Sequence, residues 1–220
     1  MSEKLVVQDG YVFKEETHLT VLKTSLFFSG DGFAVYDSKG QLIFRVDSYG
    51  PHTTDKDDLV LMDFNGRCLL TLRRKQWPSL HQRWEGFKGE RTDGDKPMFS
   101  VKRSSIIGRS RTSVIVEVYD KPGVEYLIEG CFSKRCCKVF NAVKEVVAEI
   151  CRKVDPTTSV MLGKEVFLLC VKPGFDGAFA MGLVLALDQI NGEDYFDYGT
   201  TEIAVHPAAE DRRFGSSVPS

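Results

Sequence analysis

Nine of the eleven cations between positions 73 and 111 form the candidate set: Arg73, Arg74, Lys75, Arg83, Lys88, Lys102, Arg103, Arg109 and Arg111. The chemistry they offer is recognition of phosphate. One exposed ammonium or guanidinium is weakly attractive in salt water, so a phosphoinositide headgroup needs several converging on one surface point. From Arg67 to Thr112 the chain holds twelve Lys/Arg against four Asp/Glu, although its net charge is −2. Trp77 and Trp84 lie in the same stretch and have the amphipathic rings that suit a membrane interface. The same cations have a second use, as a solvated, salt-laced wall neutralised by acids packed beside them. Nucleic-acid phosphate would be drawn to such a surface too. No helix-turn-helix, zinc finger or RNP-type aromatic pattern accompanies it, which ranks direct nucleic-acid binding lower.

Other reactive residue types are scattered. The six cysteines, at 68, 131, 136, 137, 151 and 170, form no CxxC, and none of the four histidines lies near a cysteine pair. Neither a zinc site nor a secreted disulfide framework is indicated, and reduced, buried thiols are expected. In "CFSKRCCK" the thiols sit beside Lys134, Arg135 and Lys138, a setting that suits acylation next to a membrane. The plainer expectation is that one of Cys136 and Cys137 faces the core, because adjacent strand residues point oppositely. "HTTDKDD" gathers His52, Asp55, Asp57 and Asp58, but lacks EF-hand spacing and its closing glutamate. It reads as a solvated loop, as does "RTDGD". GxSxG, HExxH, Walker and GxGxxG motifs do not occur, so no catalytic residue, metal ligand or cofactor is assigned.

These residues sit on many short β-type runs. "FAVYD" turns at "SKG" into "QLIFRV", and "DLVLMD" turns at "FNG" into "RCLLTLRR", where Asn65-Gly66 is a strong hairpin signal. Val114, Val116 and Val118 share one face while Ser113, Glu117 and Tyr119 take the other. Such alternation over about twelve runs predicts one antiparallel all-β domain with a wet outer face. At 220 residues, 42% hydrophobic and 27% charged, the composition is that of a globular chain with a substantial core.

One segment departs from this pattern. "GAFAMGLVLALDQING" follows the strand stop "KPG", with Asp176 placed to cap a helix over about 176–191 and Gly192 to end it. Its apolar residues lie on every side, so the helix belongs inside the protein. The uncharged stretch from Gly177 to Leu187 would span about 17 Å, against roughly 30 Å of bilayer hydrocarbon. A barrel of about twelve strands has an interior too wide for its own side chains to fill, and a slim helix rich in Gly and Ala would plug it. The expected organisation is a flexible N-terminus (1–10), one barrel domain (11–204) and a disordered tail (205–220). No transmembrane span, secretory signal or lipidation motif is seen, which predicts a cytoplasmic protein, peripheral at a membrane or nuclear.

Twelve strands followed by one hydrophobic helix resembles the tubby C-terminal-like fold. "DGFAVYDSKGQLIFRV", "CLLTLRRKQWPSLHQRWEGFKGE", "FSVKRSS", "CCKVFN" and "SVMLGKEVFLLCVKPGFDGAFAMGLVLALDQING" resemble, in order over about residues 10–195, the plant LURP-one-related family. The resemblance implies kinship with tubby-like proteins and phospholipid scramblases. It therefore implies a non-enzymatic module tied to membrane tethering, phosphoinositide binding or transcription, and to pathogen defence in plants. It transfers no catalytic residues. The scramblases' acidic calcium loop beside the helix is missing here, which speaks against scrambling and calcium control. A protein-interaction scaffold without lipid affinity, and an enzyme or ligand carrier using the barrel interior, are the competing functions.

Overall fold

A computed structural model describes residues 7–24, 32–48, 58–75, 83–92, 94–104, 113–119, 121 and 123–199. They form twelve strands and one long helix: β1 (Thr17–Thr24), β2 (Gly32–Tyr36), β3 (Leu42–Ser48), β4 (Asp58–Asp63), β5 (Cys68–Arg74), β6 (Arg83–Lys88), β7 (Phe99–Ser104), β8 (Ser113–Val118), β9 (Glu125–Cys131), β10 (Cys136–Phe140), β11 (Val146–Arg152), β12 (Val166–Val171) and α1 (Gly177–Gly199). Each strand pairs antiparallel with its neighbours in sequence, and β12 closes on β1, so the sheet is a closed barrel. Closure leaves no unpaired edge. The expected architecture, an all-β barrel of about twelve antiparallel strands around a hydrophobic C-terminal helix, is the one observed.

Alternation decides which side chains look inward. Val114, Val116 and Val118 of β8 are buried, as are Phe167, Leu169 and Val171 of β12, while the residues between them are partly exposed. The outer face is wet only in part. Along β4 and β5 the outward Val60, Met62, Leu69 and Thr71 are buried as well. There the connection after β6 folds back onto the wall: the Thr71 hydroxyl donates to the Gly89 carbonyl (2.7 Å), and Arg91 lies over the Phe87 ring at 5.3 Å. At the β4–β5 turn Gly66 takes a positive φ (83°), and Asp63 Oδ1 accepts from the Asn65 and Arg67 amides. The Asn-Gly signal is therefore a real hairpin.

α1 fills the interior. Every residue from Ala178 to Leu187 is buried, whichever way it points. Phe179 meets Phe99 (4.9 Å), Tyr126 (5.4 Å) and Phe175 (5.6 Å), so an aromatic cluster holds its first turns. A Cβ on Gly182 would come within 2.5 Å of Leu70, and one on Gly86 within 2.3 Å of the Phe99 ring. Small residues on both sides thus set how closely helix and wall approach. No helix among the described residues is long and apolar enough to cross a membrane.

Two boundaries differ from those expected. The predicted free N-terminus of residues 1–10 is tied down from Val7 onward. Val7 is buried, and its amide and that of Gln8 donate to Asp176 Oδ2 (2.7 and 3.0 Å). Asp176 Oδ1 meanwhile accepts from the Phe179 amide (2.9 Å), which is the predicted helix cap. One carboxylate thus serves the N-terminal segment and the helix start together. The second difference is that α1 runs through Gly192 to Gly199. A glycine ends a helix by turning left-handed, and Gly192 is absent from the positive-φ residues. Residues 1–6 and the tail segment 205–220 lie outside the described residues.

Candidate functional site

α1 enters the barrel at the end where β12 stops and leaves at the other, called here the exit end. Antiparallel pairing brings the last residues of β5, the first of β6 and the last of β7 to that exit end. Six of the predicted cations consequently collect on three neighbouring strands or directly beyond them: Arg73, Arg74 and Lys75, then Arg83, then Lys102 and Arg103. Lys88 closes β6 at the opposite end and stands apart from them. Arg109, Arg111 and Trp77 lie outside the described residues, as do His52, Asp55 and Asp57.

Register sorts the six into two rows. Arg73 pairs with Glu85, and Arg83 with Lys102, on the outward face. Arg74 pairs with the buried Trp84 and Arg103 with the buried Val114, so these two belong to the inward row at the barrel mouth. Arg74 is exposed there. Arg103 Nη2 donates to the Ile190 carbonyl of α1 (3.2 Å), and Lys23 Nζ meets Asp188 Oδ2 (2.9 Å). Cations at the exit end thereby meet a backbone carbonyl and a carboxylate of α1.

The outward cations have acid partners. Arg73 lies 3.5 Å from Asp58, Lys75 lies 2.9 Å from Glu85, and Arg83 lies 3.5 Å from Glu117, to which Lys102 also donates. The Lys102 hydrogen bond is the main reason the Glu117 carboxyl is held below its ordinary value, with charge attraction from Lys102 and Arg83 adding to it and burial opposing. Arg83 and Lys102 are direct cross-strand partners of like charge, an arrangement that is unfavourable by itself. Glu117, one strand further on, is what both share. Charge counting along the chain missed this pairing because Asp58 and Glu117 fall just outside the basic stretch and arrive from β4 and β8. The salt-laced wall is therefore present: among the described residues Asp58, Glu85 and Glu117 meet Arg73, Lys75, Arg83 and Lys102.

The thiols obey the strand rule. Cys137 faces inward and is buried, which pushes its thiol up to about 12, while Cys136 is exposed. Cys131 is also exposed, and the Ser133 hydroxyl (3.2 Å), then the Lys134 amide and ammonium, favour its thiolate. Burial raises Cys68, Cys151 and Cys170, the last to about 11.

Comparison with known proteins agrees with the architecture. A solved X-ray structure of an Arabidopsis thaliana protein superposes with a TM-score of 0.63 at 24% identity, covering 86% of this chain and 99% of that one, a likeness of fold. Protein LURP-one-related 5 of Arabidopsis thaliana is 64% identical over 96% of this chain and 100% of its own length. Protein LURP-one-related 12 of the same plant is 60% identical over 96% of this chain and 94% of its own. The family model described as LURP-one-related matches residues 17–188, from the first residue of β1 to the helix residue that Lys23 holds. With the match running through all twelve strands and into the central helix, the chain belongs to the LURP-one-related family.

Proposed function

We propose that the barrel is a non-enzymatic binding module whose exit end docks on anionic, phosphoinositide-bearing membrane surfaces from the cytoplasmic side. The observation that supports this reading is the gathering of Arg73, Arg74, Lys75, Arg83, Lys102 and Arg103 at one end of three adjacent strands, with an Arg83–Lys102 pair sharing one acid. A phosphate group arriving there would relieve the like-charge pairing that Glu117 only partly offsets, and it would add to attraction worth about 1 kcal/mol per surface cation. The barrel interior is filled by α1, which leaves the outer surface and the two rims for binding.

The ion pairs to Asp58, Glu85 and Glu117 favour a second reading, a protein-interaction scaffold in which the same cations only knit the wall together. Co-sedimentation with neutral, phosphatidylserine and phosphoinositide vesicles across a salt series separates the two. Binding that is selective for phosphoinositide, weakens with salt and falls in the Arg74→Glu/Arg83→Gln variant supports docking. Binding unchanged in that variant removes the site, and no binding to any vesicle leaves the scaffold. A thermal melt of the variant checks that the barrel is intact.

A further inference from the structure

Cys131, Cys136 and Cys151 are register partners on consecutive strands: Cys131 of β9 faces Cys136 of β10, which faces Cys151 of β11. All three lie on the outer face, since their neighbours Ile128, Cys137, Val139, Ala148 and Ile150 fill the inner rows. The expectation of buried thiols does not hold for this row, in which Cys131 and Cys136 are exposed and Cys151 is partly so. Cysteines that are far apart or single in the sequence become a row on the barrel wall.

We propose that Cys131 and Cys136 form a cross-strand dithiol that hydroperoxides oxidise to a disulfide. Spacing decides that pair chemistry, not shared metal ligation, is available. The outer two thiols of the row are separated by two strand spacings, about 9–10 Å, whereas two metal–sulfur bonds of about 2.3 Å cannot bridge more than about 4.6 Å. Directly opposite Cβ atoms lie about 4.5–5.5 Å apart, close to the 3.5–4.5 Å or so that a disulfide spans. A small approach of β9 and β10 therefore suffices.

Exposure decides between the two possible pairs. Cys131 and Cys136 are both exposed, but Cys151 is partly buried and in hydrogen-bond contact with Cys170. The turn between the first pair is also held in place without a bond at its neck. Arg135, at φ 51°, is buried with its guanidinium 4.2 Å from the Phe132 ring and 4.3 Å from the Phe167 ring, and its Nε donates to the Lys164 carbonyl (2.9 Å). Gly130 is at φ 119°, where a Cβ would sit 2.1 Å from the Cys136 carbonyl oxygen, so the residue beside the pair has to be glycine for β10 to lie against β9. The reduced thiols are thus kept facing each other.

The chemistry balances with a hydroperoxide as oxidant. The Cys131 thiolate attacks the terminal peroxide oxygen. The O–O bond breaks, the leaving alkoxide or hydroxide takes up a proton, and Cys131 becomes a sulfenic acid. Cys136 sulfur then displaces the sulfenic hydroxyl, which leaves as water with the thiol proton. Two thiols are oxidised and one peroxide is reduced. The polar groups of Ser133 and Lys134 around Cys131 make it the attacking member.

The test uses the reduced full chain, treated with hydrogen peroxide at neutral pH, alkylated and digested with trypsin. Cleavage after Lys134 or Arg135 places the two thiols on separate peptides, so only a disulfide keeps them joined. The expected result is a Cys131–Cys136 linked pair, unchanged in Cys137→Ser and lost in Cys131→Ser. In Cys136→Ser the oxidised Cys131 should be trapped by dimedone as the sulfenic acid adduct. The proposal is overturned if Cys136 links instead to Cys151, if no linkage forms, or if the urea-unfolded chain links the same pair equally fast.

Discussion

Glu117 is the residue on which the basic wall turns. It accepts from Lys102, lies 3.5 Å from Arg83, and prevents two cross-strand cations from facing each other alone. Its carboxyl titrates below its ordinary 4.5, so the stability it contributes is present above that value and is lost as pH falls through the lower, folded one. Glu117→Gln should flatten that part of the acid limb in a series of urea midpoints against pH. At neutral pH it should cost about 0.5–1 kcal/mol, the range of partly exposed pairs. It should also strengthen sedimentation with phosphoinositide vesicles, because two cations lose their shared partner. If binding weakens instead, the acid is part of the docking geometry and the proposed electrostatics are wrong. The sequence made the cations legible and hid this acid. Register, which no linear charge count contains, is what brings positions 83, 102 and 117 together.

Helix and strand meet through missing side chains, and the consequences can be ordered. At Gly86 an added Cβ would strike three atoms of the Phe99 ring, the nearest at 2.3 Å, and that ring is braced by Phe179. At Gly182 it would strike Leu70 Cδ2 at 2.5 Å, the end of a side chain with other rotamers. Gly182→Ala also gains about 1 kcal/mol of helix propensity. Gly86→Ala should therefore destabilise by more than the 1–3 kcal/mol or so usual for overpacking, and Gly182→Ala by less; equilibrium urea unfolding of the two variants gives the order. Asp176 is the other junction. Asp176→Ala leaves the Val7, Gln8 and Phe179 amides without their acceptor, and at about 1–3 kcal/mol for each of the two buried donors, Val7 and Phe179, should cost roughly 2–6 kcal/mol. Hydrogen exchange should then quicken at Val7 and Gln8 as well as at the start of α1, while a cap acting on the helix alone would spare the N-terminal segment. The helix, its cap and its burial were legible from an apolar run too short for a membrane. Its length was not, since Gly192 can end a helix or continue one and only its φ tells which. The N-terminal anchor was hidden because Val7 finds its partner 169 residues away.

At the scale of the molecule, twelve antiparallel strands put alternate connections at opposite ends, so the barrel has two different rims. The exit rim carries the six cations and also the β11–β12 connection, where Val154, Val160 and Met161 are exposed (46, 59 and 54%). The entry rim carries the exposed Phe64 and Val143, at the β4–β5 and β10–β11 turns, and Lys88 alone of the basic set. Apolar tips therefore occur at both ends, while six members of the basic set stand at one and Lys88 alone at the other. Strand number could be read from alternation and turn spacing, and closure from the all-round apolar helix that needs an interior, but this polarity could not, because it depends on which ends of β5, β6 and β7 share a rim. Docking through the exit end predicts an orientation. A tryptophan at Val160 should shift to the blue and gain protection from aqueous quenchers on phosphoinositide vesicles, and one at Val143 should do neither, each read against the parent's two tryptophans. The β11–β12 connection lies across the barrel from β5–β7 in strand order, so a shift at Val160 requires the barrel to stand on its rim. A side-on approach through the outer faces of β5–β7 alone would leave Val160 in water and Val143 equally so. A response at Val143 with none at Val160 would place the membrane at the entry end and discard the cationic rim as the docking surface.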